Sequence, residues 1–550
     1  MPNPTDLRGL FRTDFRARAA YAEGAGIHRI VPRGVARPVD TSELQELIRW
    51  AAGDGVPLVP RGAGSSMAGA AVGDGVIVDL TGLTPRTLTI DPRARTAHTS
   101  ASVTAAELNA AAAGHGLRMP VEPSSSRWAT LGGMVGTNAA GARSFRHGSV
   151  RRWVQGLRII TADGEAAELL RGGALRSVGT LPAALLRFEQ RVAPAIRALS
   201  RQVEAAFPAT RKNSSGYALN AWLESGEEVD LLIGSEGTLA VTTEVVWRLA
   251  PIPPARSAVR VALEHLDQLG EVVAALLVLD PSAVELLDRT FLDLVRQHRG
   301  PAALPDLPPT ADAIVIVEFE QDSSTAARSA ALAAVEAVAP WSTEVATALT
   351  EPEEEQIWQL RHAASPILAG LSERRRSVQI IEDGCVPIDR LGRYIGLIRA
   401  AALDQGLQVV IFGHAGDGNV HVNVLPELDR PDWRDRIAGL FMKVNEAVIT
   451  LGGTVSGEHG VGRPRAGFMA RQYGPLVTNL FSQVKSAFDP RGILNPGVII
   501  PDGASPLARL KFEPDAESLP QDIAEALRTI ERDGGYARSR LSIADHAADP

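Results

Sequence analysis

Cysteine is almost absent: Cys385 is the one thiol in 550 residues. That excludes an intramolecular disulfide and a cysteine-ligated iron–sulfur cluster within the chain. Long apolar runs are missing too, and no stretch approaches the ~18 residues that a membrane-spanning helix needs. Positive charge is not in excess: the net charge is −8 and no extended Lys/Arg run occurs, which leaves no surface for nucleic acid. The opening Met-Pro-Asn-Pro-Thr-Asp lacks a basic segment followed by an apolar core, so no secretory signal is expected. What remains is ordinary globular composition, 45% hydrophobic and 22% charged, in a chain long enough for two or three domains. The expectation is a cytoplasmic enzyme or binding protein, with peripheral attachment to a membrane left open.

The most telling residues lie in two short glycine-rich segments, Gly413-His-Ala-Gly-Asp-Gly-Asn-Val-His-Val-Asn423 and Ser456-Gly-Glu-His-Gly-Val-Gly462. Val409–Gly413 and Val420–Val424 read as short strands joined by a tight turn. His421 and Asn423 are two apart and share a face of their strand, and His414 ends the preceding one. Two imidazoles and a carboxylate, Glu458, are the donor set of an open Zn²⁺-type site. His459, beside that carboxylate, is a candidate base. In an extended segment Glu458 and His459 are expected on opposite sides, one toward a metal and one toward a substrate.

Periodicity predicts helices at Thr41–Ala52, Thr104–Ala113, Leu266–Leu279 and Ser324–Val338. Strands are predicted at Val56–Pro60, Val76–Leu80, Leu157–Thr161, Leu239–Leu249, Ser257–Leu263 and Ala313–Glu320. Pro251-Ile-Pro-Pro254 is a natural break between two α+β domains. The last fifty residues, acidic and Pro-marked, read as a peripheral tail.

Three glycine-rich loops fall in the first domain. Pro60-Arg-Gly-Ala-Gly-Ser-Ser66 follows a strand, where backbone N–H groups converge on an anion. It is neither a strict Gly-x-Gly-x-x-Gly fingerprint nor a nucleotide-hydrolase phosphate loop. Ala129-Thr-Leu-Gly-Gly-Met-Val-Gly-Thr-Asn-Ala-Ala-Gly141 is expected as a flat, side-chain-poor surface for a large rigid ligand. Ile233-Gly-Ser-Glu-Gly-Thr-Leu239 leads into a strand. Together they suggest a long cofactor lying across a sheet.

With Phe488-Asp-Pro-Arg-Gly-Ile-Leu-Asn-Pro-Gly497, these motifs stand in an order and at distances that resemble the vanillyl-alcohol oxidase (PCMH-type FAD-binding) superfamily. Within it the chain is similar to the D-lactate, D-2-hydroxyglutarate and glycolate-oxidase-subunit types, from about residue 30 to 500. The resemblance implies an α+β fold: an N-terminal arm (1–32), a two-subdomain FAD-binding domain (33–252), an FAD-linked oxidase C-terminal substrate domain (253–500) and a tail (501–550). It implies that Arg61, Gly62, Ala63, Gly64, Ser65, Ser66, Thr130, Gly133, Asn138, Gly141, Glu236, Gly237, Val241 and Asn495 line FAD. It assigns His414, His421 and Glu458 to a divalent metal, zinc by donor type, and His459 to the base. Substrate contacts fall on Asn423 and on Arg361, with Ser365 assisting.

Two departures bear on chemistry. A second basic substrate residue found in some relatives falls near Ile381 here, so a second carboxylate would rely on Arg374, Arg375 or Arg376, or on nothing. The first loop also lacks the histidine that tethers FAD in relatives, so a dissociable cofactor is expected. Glu382-Asp-Gly-Cys-Val-Pro387 is similar to a longer subgroup with an appended iron–sulfur domain. No such domain is expected in this chain, and electrons are expected to pass to a quinone, a cytochrome or an electron-transfer flavoprotein. The expected reaction is oxidation of a D-2-hydroxy acid, D-lactate or D-2-hydroxyglutarate, to the 2-oxo acid, with a homodimer left open as the assembly. The alternatives are an oxidase, a redox-neutral FAD enzyme, a zinc hydrolase and a non-enzymatic flavin or metal subunit.

Overall fold

Local signals decide the helices that were legible. Helix Thr41–Asp54 starts where the Asp40 carboxylate accepts the Glu43 N–H and stops at Gly55, φ 65°. Its Leu44, Leu47, Ile48 and Ala51 form one buried face. Helix Ala105–Ala113 opens on a reciprocal Thr104/Glu107 capping box. The computed structural model describes residues 7–173, 181–299, 307–371, 376–513, 515–536 and 539–545.

The strands are β1 (Leu10–Arg12), β2 (Gly34–Arg37), β3 (Leu58–Arg61), β4 (Val76–Asp79), β5 (Leu88–Asp91), β6 (Thr96–Ser100), β7 (Leu117–Arg118), β8 (Val154–Thr161), β9 (Ala166–Leu170), β10 (Ala240–Arg248) and β11 (Ala250–Pro251) in the first half. The second half adds β12 (Ala255–Leu263), β13 (Ala283–Asp288), β14 (Ala313–Gln321), β15 (Ser342–Ala348), β16 (Gly384–Cys385), β17 (Gln408–His414) and β18 (Asn419–Leu425). A four-stranded sheet has the order β1-β2-β4-β3, with β2, β4 and β3 parallel. An antiparallel sheet runs β5-β6-β10-β8-β9, and β7 pairs with β11. The second half forms one seven-stranded antiparallel sheet, β15-β12-β14-β13-β17-β18-β16.

Both faces of the seven-stranded sheet are covered, so its inner strands read as near-continuous apolar runs. Val315 and Val317 enter the main core on one face, while Ile314 and Ile316 pack with Phe291, Leu360 and Ile367 on the other. Glu285, His414, His421 and Asn423 lie on that second face, in step with Leu287 and Phe412.

Leu131–Thr137 and the C-terminal segment differ from the sequence expectation. Leu131–Thr137, inside the tract read as a flat loop, is a helix capped by Thr130. Glycines lower helix propensity, which hides it. Gly132 is required because a Cβ there would stand 2.6 Å from that of Ala101. The segment expected as a peripheral tail instead packs on the arm: Ile523 and Leu541 are buried with Ala17, Ala20 and Tyr21. The chain also returns to the first sheet before the tail begins, where the Leu58 N–H donates to Ile493 O and the Asn495 N–H to Leu58 O. Among the described residues no helix is long and apolar enough to cross a membrane.

Candidate active site

β17 and β18 pair so that Phe412 faces His421 and Val410 faces Asn423. Gly418, at φ 72°, closes the short turn Ala415–Asp417 between them. The His421 Nδ1–H donates to the Glu382 carbonyl at 2.8 Å, and the His414 Nδ1–H to Glu285 Oε1 at 2.6 Å. Those bonds orient both rings with Nε2 turned inward; burial opposes a charge on His414, but Glu285 and Glu458 outweigh it and raise its pKa. The Nε2 atoms stand 3.4 Å apart, and Glu458 Oε1 lies 3.1 Å from that of His414 and 3.3 Å from that of His421. With both imidazoles neutral, three acceptors face one point, and either a proton on His414 or a metal cation among them relieves their repulsion. Their spacing is that of donors on the edges of a tetrahedron with ~2.0–2.1 Å bonds, about 3.3 Å. The donor set therefore fits a divalent cation.

Glu458 and His459 do not point to opposite sides; both line the same cavity. The reason is Asp383, around which residues 456–459 wrap. Its carboxylate accepts the Ser456 hydroxyl at 2.6 Å, the Glu458 N–H at 3.0 Å and the His459 N–H at 2.7 Å. The segment is thus a turn rather than a strand. The His459 ring stacks on His421 at 5.0 Å, its Nδ1 pairs with Glu382 Oε1 at 2.8 Å, and its Nε2 lies 3.5 Å from Glu458. Burial opposes the charge on His459, but Glu382 and Asp383 outweigh it and push its pKa up to about 10.

Arg361 lies in the last turn of helix Glu351–His362 and lines the cavity with Trp358 and His362. Its Nε–H donates to Glu285 Oε2 at 2.6 Å. Asn423 lines the cavity and accepts the Ser377 hydroxyl at 2.8 Å. The Ser365 side chain, Arg374 and Arg375 lie outside the described residues. Ile381 is buried away from the cavity; Gln379 and Glu382 face it instead.

Three residues that sequence reasoning missed complete the centre. Glu285 bridges Arg361 and His414, and those partners hold its carboxyl down to about 2 against the effect of burial. Asp383 organises the Glu458 turn. Lys212 donates to Glu458 Oε2 at 3.0 Å and pairs with Asp417 Oδ2 at 3.1 Å. Burial works against its charge, but the two carboxylates keep it protonated. Lys212 and His414 in turn hold Glu458 well below the usual carboxylate range, against the burial that would raise it. The signal for Glu285 was a lone carboxylate inside the apolar Ala283-Val-Glu-Leu-Leu287; Lys212 and Asp383 left none.

One cavity of about 300 Å³ runs from this centre to the three glycine segments. Gly62, Ala63, Gly64, Ser65, Ser66, Thr130, Gly133, Gly141, Glu236, Gly237 and Val241 all line it. Arg61, Asn138 and Asn495 stand behind the wall. The Arg61 guanidinium donates to the carbonyls of Tyr21, Glu23 and Ala71. Asn138 caps its helix at φ 52°, and Asn495 Nδ2 donates to Ala70 O and Glu236 O. Glu236 turns its carboxylate to the N–H groups of Val461 and Gly462, so its backbone faces the cavity. Gly136 presents a wall with nothing within 4 Å of where a Cβ would stand. The buried Ser66 and Ser102 hydroxyls and Trp358 Nε1 lack partners among the described residues and belong to cavity-lining side chains. A long, polar, flat ligand fits this groove.

The arrangement of sheets is that of the PCMH-type flavoproteins. The 4-ethylphenol oxidase of Gulosibacter chungangensis superposes with a TM-score of 0.64 at 16% identity, covering 90% of this chain and 94% of that one. Residues 32–170 match the FAD binding domain family and residues 252–499 the C-terminal domain of FAD linked oxidases. The chain belongs to these FAD-linked oxidoreductases and binds FAD. It is 28% identical to glycolate oxidase subunit GlcD of Bacillus subtilis over 86% of this chain and 89% of that one. The D-lactate dehydrogenase of Archaeoglobus fulgidus is also 28% identical, with 85% and 91% covered. So is the D-2-hydroxyglutarate dehydrogenase of Xanthomonas citri pv. viticola, with 85% and 89% covered.

Proposed function

We propose that the chain is an FAD-dependent dehydrogenase that oxidises a D-2-hydroxy acid, D-lactate or D-2-hydroxyglutarate, to the 2-oxo acid. The observation that carries this reading is the single cavity in which the glycine-walled groove meets Arg361, His459 and the His414/His421/Glu458 centre. We also assign that centre to a divalent cation, zinc by its two imidazoles and one carboxylate. When bound, FAD takes up hydride from C2 and the cation polarises the C2 hydroxyl.

The chain's own residues supply the rest. Arg361 pairs with the C1 carboxylate and fixes which face of C2 meets the groove. Asn423 contacts the substrate beside it. His459, held through Nδ1 by Glu382, takes the hydroxyl proton at Nε2. The carboxylates that raise its pKa are the charge a dication on the neighbouring three donors would offset. Lys212 keeps Glu458 anionic and aims it at the histidines. Because Pro60–Ser66 contains no nucleophilic histidine, FAD is held without a covalent bond. The acceptor classes consistent with this chemistry are a quinone, a cytochrome or an electron-transfer flavoprotein.

Steady-state turnover with an artificial electron acceptor tests the reading. Each acid is supplied as separate D and L enantiomers, with and without a chelator. Turnover of one D-acid that the chelator abolishes and Zn²⁺ restores is expected. Indifference to every D-acid overturns the reading.

A further inference from the structure

β13 runs through the interior of the seven-stranded sheet, between β14 and β17, and Glu285 stands in its middle, 0% exposed. A carboxylate so placed is costly unless both oxygens are paired. Both are: Oε1 accepts the His414 Nδ1–H and Oε2 accepts the Arg361 Nε–H, each at 2.6 Å. Strand register delivers the first contact. Leu286 faces Gly413 and Leu287 faces Phe412, so Glu285 and His414 are cross-strand neighbours one step along.

We propose that Glu285 is a positioning residue that sets the spacing between the substrate's carboxylate anchor and the cation centre, and couples occupancy of the two. The proposal rests on the function read above. A 2-hydroxy acid carries its carboxylate and hydroxyl on adjacent carbons, so the groups receiving them must keep one fixed separation. One carboxylate bonded to both sets that separation from the rigid middle of a sheet. On the cation side it locks His414 in the tautomer whose Nε2 faces His421 and Glu458. On the substrate side it takes only Nε, and among the described residues no hydrogen bond occupies Nη1 or Nη2 of Arg361. Arg361 and His414 therefore share one anion. An acid bound at the Nη edge draws the guanidinium's charge off Glu285 and leaves more of the carboxylate's charge to His414, strengthening it as a ligand. Linkage makes the effect reciprocal: the cation and the acid each tighten the other.

Zn²⁺ affinity of the FAD-loaded protein, measured by competition with a fluorescent chelator, tests this without relying on turnover. Glu285→Gln is expected to weaken Zn²⁺ about 10- to 100-fold while FAD content and the melting transition are retained. Arg361→Gln, at a residue outside the Glu458/His414/His421 donor set, is expected to tighten Zn²⁺, and saturating pyruvate or 2-oxoglutarate to tighten it in the wild type but not in that variant. Should Glu285→Gln fail to fold, Arg361→Gln and the oxo acids decide alone. Zn²⁺ affinities unmoved by either substitution and by the oxo acids overturn the inference and leave the proposed function standing. A wild-type protein that binds no Zn²⁺ overturns the inference and the cation assignment, and leaves oxidation of a D-acid to its own test.

Discussion

At the residue scale, the chemistry concentrates on side chains whose partners were chosen by the fold. His459 faces the same cavity as Arg361 and is held by Glu382, so it is a specific candidate rather than one histidine among eleven. His459→Ala is expected to keep FAD and Zn²⁺ while turnover falls about 10²- to 10⁴-fold; flavin absorbance, metal analysis and kcat on one sample check it. Near-normal turnover would remove the assigned role. His414→Ala should instead lose Zn²⁺ and keep FAD, because the groove that holds the flavin is built elsewhere. The histidines and Glu458 were legible because two short segments carry them all. Glu285, Lys212 and Asp383 were not, because their partners lie 129, 246 and 75 residues away along the chain. No local spacing encodes such pairs.

At the scale of elements, strands and helices with a clean period were read nearly to their ends, as Ser324–Val338 and the β17–β18 hairpin show. The exceptions have physical causes. Helix Leu131–Thr137 carries three glycines that lower its propensity, one of which, Gly132, is needed for closeness to Ala101. The turn at Glu458 is shaped by Asp383 from another segment, against the alternation that an extended chain would have. A second joint is as tight: Gly462, φ 55°, lies where a Cβ would come within 1.7 Å of the carbonyl of Ala68, two residues past the first glycine loop. Gly462→Ala is therefore expected to push residues 458–462 off that loop, lowering the melting temperature and releasing FAD together. A variant that melts and binds flavin as the wild type does would show that the joint yields.

At the scale of the whole molecule, the two halves are joined by buried charge as well as by apolar contact. Arg143, from the segment after the glycine helix, pairs with Glu318 of β14 at 2.7 Å, and Arg118 pairs with Glu320 at 2.6 Å. Removing one partner strands the other, so Arg143→Met is expected to cost about 3–5 kcal/mol in denaturant unfolding. His28 ties the arm to the chain beyond 500 through its bridge to Leu510, and burial, helped by Arg463, lowers its pKa to about 4. Between pH 6.5 and 4 the unfolded chain binds a proton there that the folded chain refuses. This stability is full above pH 6.5 and lost as pH falls toward 4. His28→Gln should flatten that part of the stability–pH curve. The arm and tail looked separable in sequence because their apolar residues, Ala17, Ile523 and Leu541, are too sparse within either piece to signal a core.

The central claim is that one cavity brings flavin, acid anchor and proton acceptor together. The visible spectrum of the purified protein, recorded anaerobically before and after adding D-lactate or D-2-hydroxyglutarate, tests it most directly. Yellow protein bleached by one D-acid and not by its L-enantiomer is the predicted result. Yellow protein that no D-acid bleaches would contradict the assigned chemistry.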